Sequence, residues 1–266
     1  MTDAIPYLEK AVKTTNNNIR DAAYNLLGSI YDENHQALKA INAYNEVIKT
    51  NPNYPQIFYN IGIAFFRNQE YADAETAGIE AIRHNPFNAS NQRMYGLVAF
   101  HQNKRVNALL AFCSFLLLEP NTARSAEAFT NIRSILSVGT LKTNPGNDQS
   151  LTQDELNERQ TLNAGIGVVV AAGRAKKLTG MDLLEYELKG IFTLAGQLAN
   201  KKKDKTFCDR FFSDYFYKLA KSDNMPAFTR LVSLPANKEE NTQWKQEHMQ
   251  QVADLNKWMA DTERSF

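Results

Sequence analysis

Residues 59–75 read "YNIGIAFFRNQEYADAE". The apolar spacing is helical, yet Gly62 sits inside it, where glycine costs about 1 kcal/mol against alanine. The flanking sequence explains the loss. Gly28 and Gly96 lie 34 residues to either side, and other positions recur with the same step. Leu27, Ile61 and Tyr95 precede the glycines; Tyr31, Phe65 and Ala99 follow each by three. Ala40, Ala74 and Ala108 come next, then Tyr44, Gly78 and Phe112, then Val47, Ala81 and Phe115, and Pro52, Pro86 and Pro120 close the blocks. Each block holds two helical runs around a short polar break: "ENHQ", "RNQE" and "HQNK". The prolines follow the second run, where a missing N–H ends a helix at little cost. Glycine on the first run and alanine on the second let paired helices approach closely, so residues 28, 62 and 96 are expected at helix crossings.

A 34-residue unit of this kind resembles the tetratricopeptide repeat (TPR), a helix-turn-helix family. The resemblance covers residues 21–54, 55–88 and 89–122. It implies an all-α fold, a superhelical array of helix pairs. There are two departures: Gln92 stands where Tyr24 and Phe58 supply an aromatic, and Gly78 replaces the aromatic of the second helix, which should loosen packing there. Ahead of the array, residues 3–18 place Ala4, Leu8 and Ala11 at second-helix spacing, as half a repeat with a two-residue insertion before Asp21. A chain opening on a second helix reads as one lacking its first helix, which fits a trimmed or exported protein without its N-terminal region; the compartment is unknown. After Thr122, residues 123–138 read as a degenerate helix. The polar Pro-Gly stretch 139–150 then separates an array at 1–138 from a helical C-terminal domain at 151–266.

In that second half, Thr152 followed by Glu155 is a capping-box pattern. "AGIGVVVAAG" suits a buried strand or a helix, and with no strand partner elsewhere it is read as helix. Leu184, Leu188, Ile191, Ala195 and Leu198 form a helical stripe. Phe207, Phe211, Phe212, Tyr215 and Phe216 read mostly as core, but the set is too broad for one helix face, so one ring is expected at an interface. Asn237 with Glu240 reads as the cap of a single last helix bearing Trp244, His248, Val252, Leu255, Trp258 and Met259. These helices are expected to pack on one another and to cover the end of the array. This half is also similar to the C-terminal parts of some bacterial TPR proteins, which implies no activity.

Composition narrows the functional classes. Thirty Lys and Arg balance 29 Asp and Glu, so no global field draws the chain toward nucleic acid or an anionic membrane. The longest apolar run, Ala108 to Leu118, is too short for a transmembrane helix, which needs about twenty residues. Cys113 and Cys208 lack metal or redox spacing and read as buried apolar residues. The four histidines share no ligand spacing. In "GIGVVVAAG", Val170 takes the third glycine position of a dinucleotide loop, so that fingerprint fails. "KKKDK" at 201–205 reads as a solvated helix end complementing the dipole. No cofactor and no metal are expected.

The resemblance implies a binding surface on the concave side, built by first-helix residues: Asn25, Ser29 and Asp32; Tyr59, Asn60, Ile63, Phe66 and Arg67; Arg93, Met94, Leu97, Phe100 and His101. A groove of this family that grips a C-terminal carboxylate is matched only at Asn60. The expected partner is therefore a protein or peptide held by apolar anchors (Phe66, Leu97, Phe100) and oriented by Asn25, Asn60, Arg67 and Arg93, unless the chain fills the groove itself. The expected function is a non-catalytic scaffold or adaptor. Two alternatives stay open: a helical enzyme or small-ligand protein with its site between the array and the C-terminal helices, and a structural subunit that self-associates through its open ends.

Overall fold

The computed structural model describes residues 2–54, 56–137 and 152–266. The expected loop at 139–150 lies outside them. The protein is all-α, with no strand among the described residues. It divides into two compact units, residues 1–98 and 99–266.

In the N-terminal unit, a short 3-10 turn (Thr2–Ala4) leads into α1 (Ile5–Ala11), followed by the pairs α2 (Asn17–Glu33) with α3 (Ala37–Thr50) and α4 (Ile57–Arg67) with α5 (Tyr71–His84). The division falls inside the next helix, α6 (Ala89–His101). Helix α2 starts earlier than the 34-residue register requires, because the Asn16 side chain accepts from Ile19 N–H and caps it. The period is written in the backbone as well. His35, Gln69 and Asn103 all take left-handed φ, at 57°, 63° and 56°. After each, an N–H reaches back across the helix end: Gln36 to Tyr31 O, Glu70 to Phe65 O and Lys104 to Ala99 O, at 2.8–2.9 Å. This is the 6→1 bond that closes a helix C-terminus and reverses the chain.

Gly28 and Gly62 do sit at crossings, with one correction. The room they leave is filled by side chains, not by a neighbouring backbone. A Cβ on Gly28 would overlap the Tyr44 ring of α3. A Cβ on Gly62 would lie 2.8 Å from Met94 Sδ and 3.4 Å from Ala77 Cβ. The propensity lost at these positions is thus offset by packing of the Tyr44 ring and the Met94 thioether into the space a Cβ would take.

The C-terminal unit is organised around α7 (Arg105–Leu118), which is apolar on every side and buries Val106, Leu109, Phe112, Phe115 and Leu116 among others. Around it lie α8 (Ala123–Leu136), α9 (Gln153–Ala175), α10 (Gly180–Lys201) and α12 (Met225–Val232). Thr122 with Ser125, and Thr152 with Glu155, make capping boxes at the starts of α8 and α9. Arg159 and Asn163 of α9 donate to the carbonyls of Gln102 and Asn103, at 3.1 and 2.9 Å.

Three expectations for this unit are corrected. First, the aromatic stripe is wholly buried: Phe207, Phe211, Phe212, Tyr215 and Phe216 are all 8% exposed or less. A π turn at Asp209–Ser213 runs directly into α11 (Asp214–Ala220). Its wider turn adds a residue to the helix and so changes the angular spacing of the rings on either side of it. Second, the last helix is two, α13 (Lys238–Glu247) and α14 (Met249–Asp261), broken at His248. There the imidazole turns back onto its own helix, with Nδ1 2.9 Å from Trp244 O and its ring stacked on Trp244 at 4.2 Å. Asn237 makes no side-chain cap at the start of α13. Third, Lys202 is not simply solvated; it pairs with Glu158 and with the buried Asp209.

The C-terminal tail beyond α14 carries the most unusual contact. The Arg264 guanidinium lies 4.0 Å from the centroid of Tyr215, 4.9 Å from Phe211, and within 6 Å of Phe212 and Phe216. It donates to Ser114 Oγ at 2.6 Å, and no carboxylate pairs with it among the described residues. Burial lowers its pKa to about 10.

Candidate functional site

The first helices α2 and α4 lie side by side, and because the repeat carries one onto the other by 34 residues they meet through different edges. Two side-chain pairs join them. Asn60 Nδ2 donates to Asn25 Oδ1 at 2.9 Å, and Arg67 is ion-paired with Asp32. Both pairs are 35 residues apart, one more than the period, as suits residues reaching from one helix to its counterpart. Four of the expected groove residues therefore bind each other. Ser29, between Asn25 and Asp32, donates to Asn25 O at 3.2 Å and shares a hydrogen bond with the Tyr44 hydroxyl at 3.3 Å. Burial raises the Tyr44 pKa to about 12, against a smaller opposing effect from the Ser29 bond. Asp32 is buried; Oδ2 takes Arg67, while Oδ1 has no hydrogen-bond partner. A buried acceptor left open costs about 1–3 kcal/mol.

Next to this polar row, Tyr59, Ile63 and Phe66 of α4 are half-buried and pack on a core of Ala74, Ala81, Met94 and Val98. The Phe66 ring meets Tyr71 edge-on at 5.6 Å. On α6, Arg93 and Leu97 are half-buried. Phe100 and His101 belong to the C-terminal unit, where the Phe100 ring lies 6.3 Å from Phe112 and His101 is exposed. Among the described residues, no cluster of His, Cys, Asp or Glu is placed to hold a metal, and no helix is long and apolar enough to cross a membrane. Both cysteines are free and buried, and burial pushes the Cys113 thiol pKa upward.

Two family profiles match the chain from α3 onward: one described as "TPR repeat" over residues 38–69, the other as "Tetratricopeptide repeat" over 59–114, so that α4 of this face lies within them and α2 ahead of them. The N-terminal part of the chain is built of tetratricopeptide repeats. No curated protein matches the chain. TPR arrays are in general protein-interaction modules, and the face described above is the first-helix surface of one.

The TPR register also accounts for the residue that sequence misplaced. Met94, expected to line the groove, is 2% exposed. In the first TPR unit the gap over Gly28 is filled by Tyr44. In the second, the matching position is Gly78, which has no ring to offer. The Met94 thioether enters from α6 instead, with Cε 2.9 Å from a Gly62 Cβ and 3.5 Å from a Gly78 Cβ. An unbranched, polarisable side chain is suited to such an irregular gap. The missing aromatic at 78 was the signal; its compensation from the next TPR unit was not visible in the sequence. The Asn25–Asn60 and Asp32–Arg67 pairs left a fainter trace, their common spacing of one residue past the period.

Proposed function

We propose that this chain is a non-catalytic scaffold or adaptor that holds a segment of a partner protein against the first-helix face of its TPR units. The observation that carries the reading is the half-buried apolar strip (Ile63, Phe66) beside a polar row fixed by its own pairs. Apolar anchors from the partner would cover the strip, with the fixed polar row setting their orientation. Because Asn25, Asn60, Asp32 and Arg67 are already tied to each other, the row is preorganised, and binding costs little side-chain entropy there.

The test is quantitative capture from the native source by three forms of the protein: wild type, Ile63→Ala with Phe66→Ala, and Ala72→Arg on the exposed surface of α5. Partners belonging to this face are retained by wild type and Ala72→Arg and lost by the double variant, with each form first shown to be folded by its thermal melt. Equal capture by all three would remove the reading.

A further inference from the structure

Arg264 is received by a cage of rings, yet it belongs to an irregular segment on a lightly held arm. That arm starts at the break at His248 and runs through α14, whose one buried residue is Leu255. Thr262 then turns extended, at φ −100° and ψ 103°. From there alternate residues face the rings, as an extended chain requires. Glu263 and Ser265 are exposed, while Arg264 enters the cage. The Phe266 ring lies 5.2 Å from Phe211, and the Phe266 carbonyl accepts from Arg210 Nη1 at 3.3 Å. A desolvated arginine is ordinarily paired with a carboxylate. Among the described residues this one has ring faces and the Ser114 hydroxyl instead.

The walls of the cage are held by contacts that do not involve the segment. Phe211 is stacked on Phe207 at 5.2 Å and meets Phe212 edge-on at 4.9 Å. Behind them Phe216 packs on Phe192 at 4.7 Å and on Phe228 at 5.9 Å. The π turn Asp209–Ser213 forms part of the wall, and such widened turns recur at functional sites. With the segment lifted away, a slot for a planar cation remains, beside an aromatic shelf at Phe211.

We propose that this cage is a recognition site for an extended segment of a partner protein that carries arginine two residues before an aromatic residue, and that residues 262–266 fill it in cis as an autoinhibitory strap. The occupant specifies the partner. The cage takes a guanidinium, whose flat face stacks on rings where an ammonium cannot. The shelf takes the aromatic residue, and the residue between them faces water. A strap on the same chain competes at an effective concentration in the millimolar range, so it holds weak or scarce partners off. The cage lies within residues 99–266 and does not rest on the function proposed above.

The probe is a fluorescein-labelled peptide copying residues 261–266, with a twin carrying citrulline for its arginine, which keeps the planar shape and drops the charge. Fluorescence anisotropy with the full chain bearing Arg264→Ala, shown folded by its thermal melt, is expected to give saturable binding of the arginine peptide. That binding should be about a hundredfold tighter than to wild type, whose cage is filled. The citrulline peptide should bind about tenfold more weakly. Should Arg264→Ala fail to fold, wild type carries the test through a nitroxide on Ser265→Cys, since Cys113 and Cys208 are buried. The label is expected to be immobile and to become mobile as unlabelled arginine peptide reaches millimolar concentration, but not with the citrulline peptide. No saturable binding, equal binding of the two peptides, or a label that the arginine peptide does not free overturns the proposal. So does a concentration-dependent dimer that Arg264→Ala dissolves, because straps exchanged between two copies are then the occupants.

Discussion

The two units of this protein solve the same packing problem with opposite materials. The N-terminal unit sets helices close by removing side chains at Gly28, Gly62, Ala74 and Ala81, and fills each remaining gap with one residue, Tyr44 or Met94. The C-terminal unit gathers rings: Phe192, Phe211, Phe212, Tyr215, Phe216 and Phe228 are all buried, and a cation from the tail is set among them. The first arrangement is dictated by neighbours in sequence and can be repeated. The second depends on contacts far apart in the chain, such as Arg264 with Ser114, and has no period. Small-residue packing is therefore sensitive to added atoms, and the aromatic core to lost ones.

The comparison is broken most strongly in the C-terminal unit. Gly196 of α10 faces Tyr217, and an added methyl there would overlap the Tyr217 Cβ, an atom that cannot swing away. Gly196→Ala should destabilise the chain by about 3 kcal/mol or more, read from urea unfolding followed by tryptophan fluorescence. Arg264→Ala removes the cation from its ring cage and leaves the Ser114 hydroxyl buried without its donor. A loss of about 3 kcal/mol is expected, with faster amide exchange in α11, and Arg264→Lys should recover only part of it because ammonium lacks the planar stacking face.

In the N-terminal unit the Tyr44 hydroxyl gives a pH test. Its folded pKa of about 12 lies above the ordinary value of 10.0. The unfolded chain loses that proton first, so the stabilisation is complete below about pH 10 and disappears as pH rises toward about 12. Across that window wild type should lose about 2–3 kcal/mol relative to Tyr44→Phe, which has no proton to lose there. Measuring both forms in urea at each pH cancels the other titrating groups.

The glycines sharpen the comparison at smaller scale, because each faces a different obstacle. Gly28→Ala meets a ring fixed by its Ser29 bond and should cost about 2 kcal/mol. Gly78→Ala has nothing nearer than 3.5 Å and should stabilise by about 0.5–1 kcal/mol, through reduced freedom of the unfolded chain and better helix propensity. Gly62→Ala lies between, since the Met94 thioether can turn aside. Urea midpoints of the three variants should fall in that order, and a Gly78→Ala variant less stable than wild type would break the account of the second repeat.

The period of 34 residues made the N-terminal helices legible, since a helix pair that buries its face on the next must repeat its small and large positions. What the period could not show was exchange between units. Met94 was assigned by its place in one repeat, and its role is set by a deficiency in another. Asn25, Asn60, Asp32 and Arg67 were read as side chains waiting for a partner because one sequence position says nothing of the residue facing it across a helix pair. In the C-terminal unit the helices were legible from their stripes. The π turn was not, because six rings on a fourteen-residue helix from Phe207 to Ala220 look the same whether or not the helix widens. The tail was least legible. "TERSF" after a helix reads as solvated, and only the fold reveals the rings that receive Arg264.

The Met94 bridge also ties the fates of two sites. A bulky ring fits at 78 only where 94 has been shortened, while shortening 94 alone leaves a void beside residue 62. Either change alone loses packing, so positions 78 and 94 can be exchanged favourably only together, although they belong to different repeats.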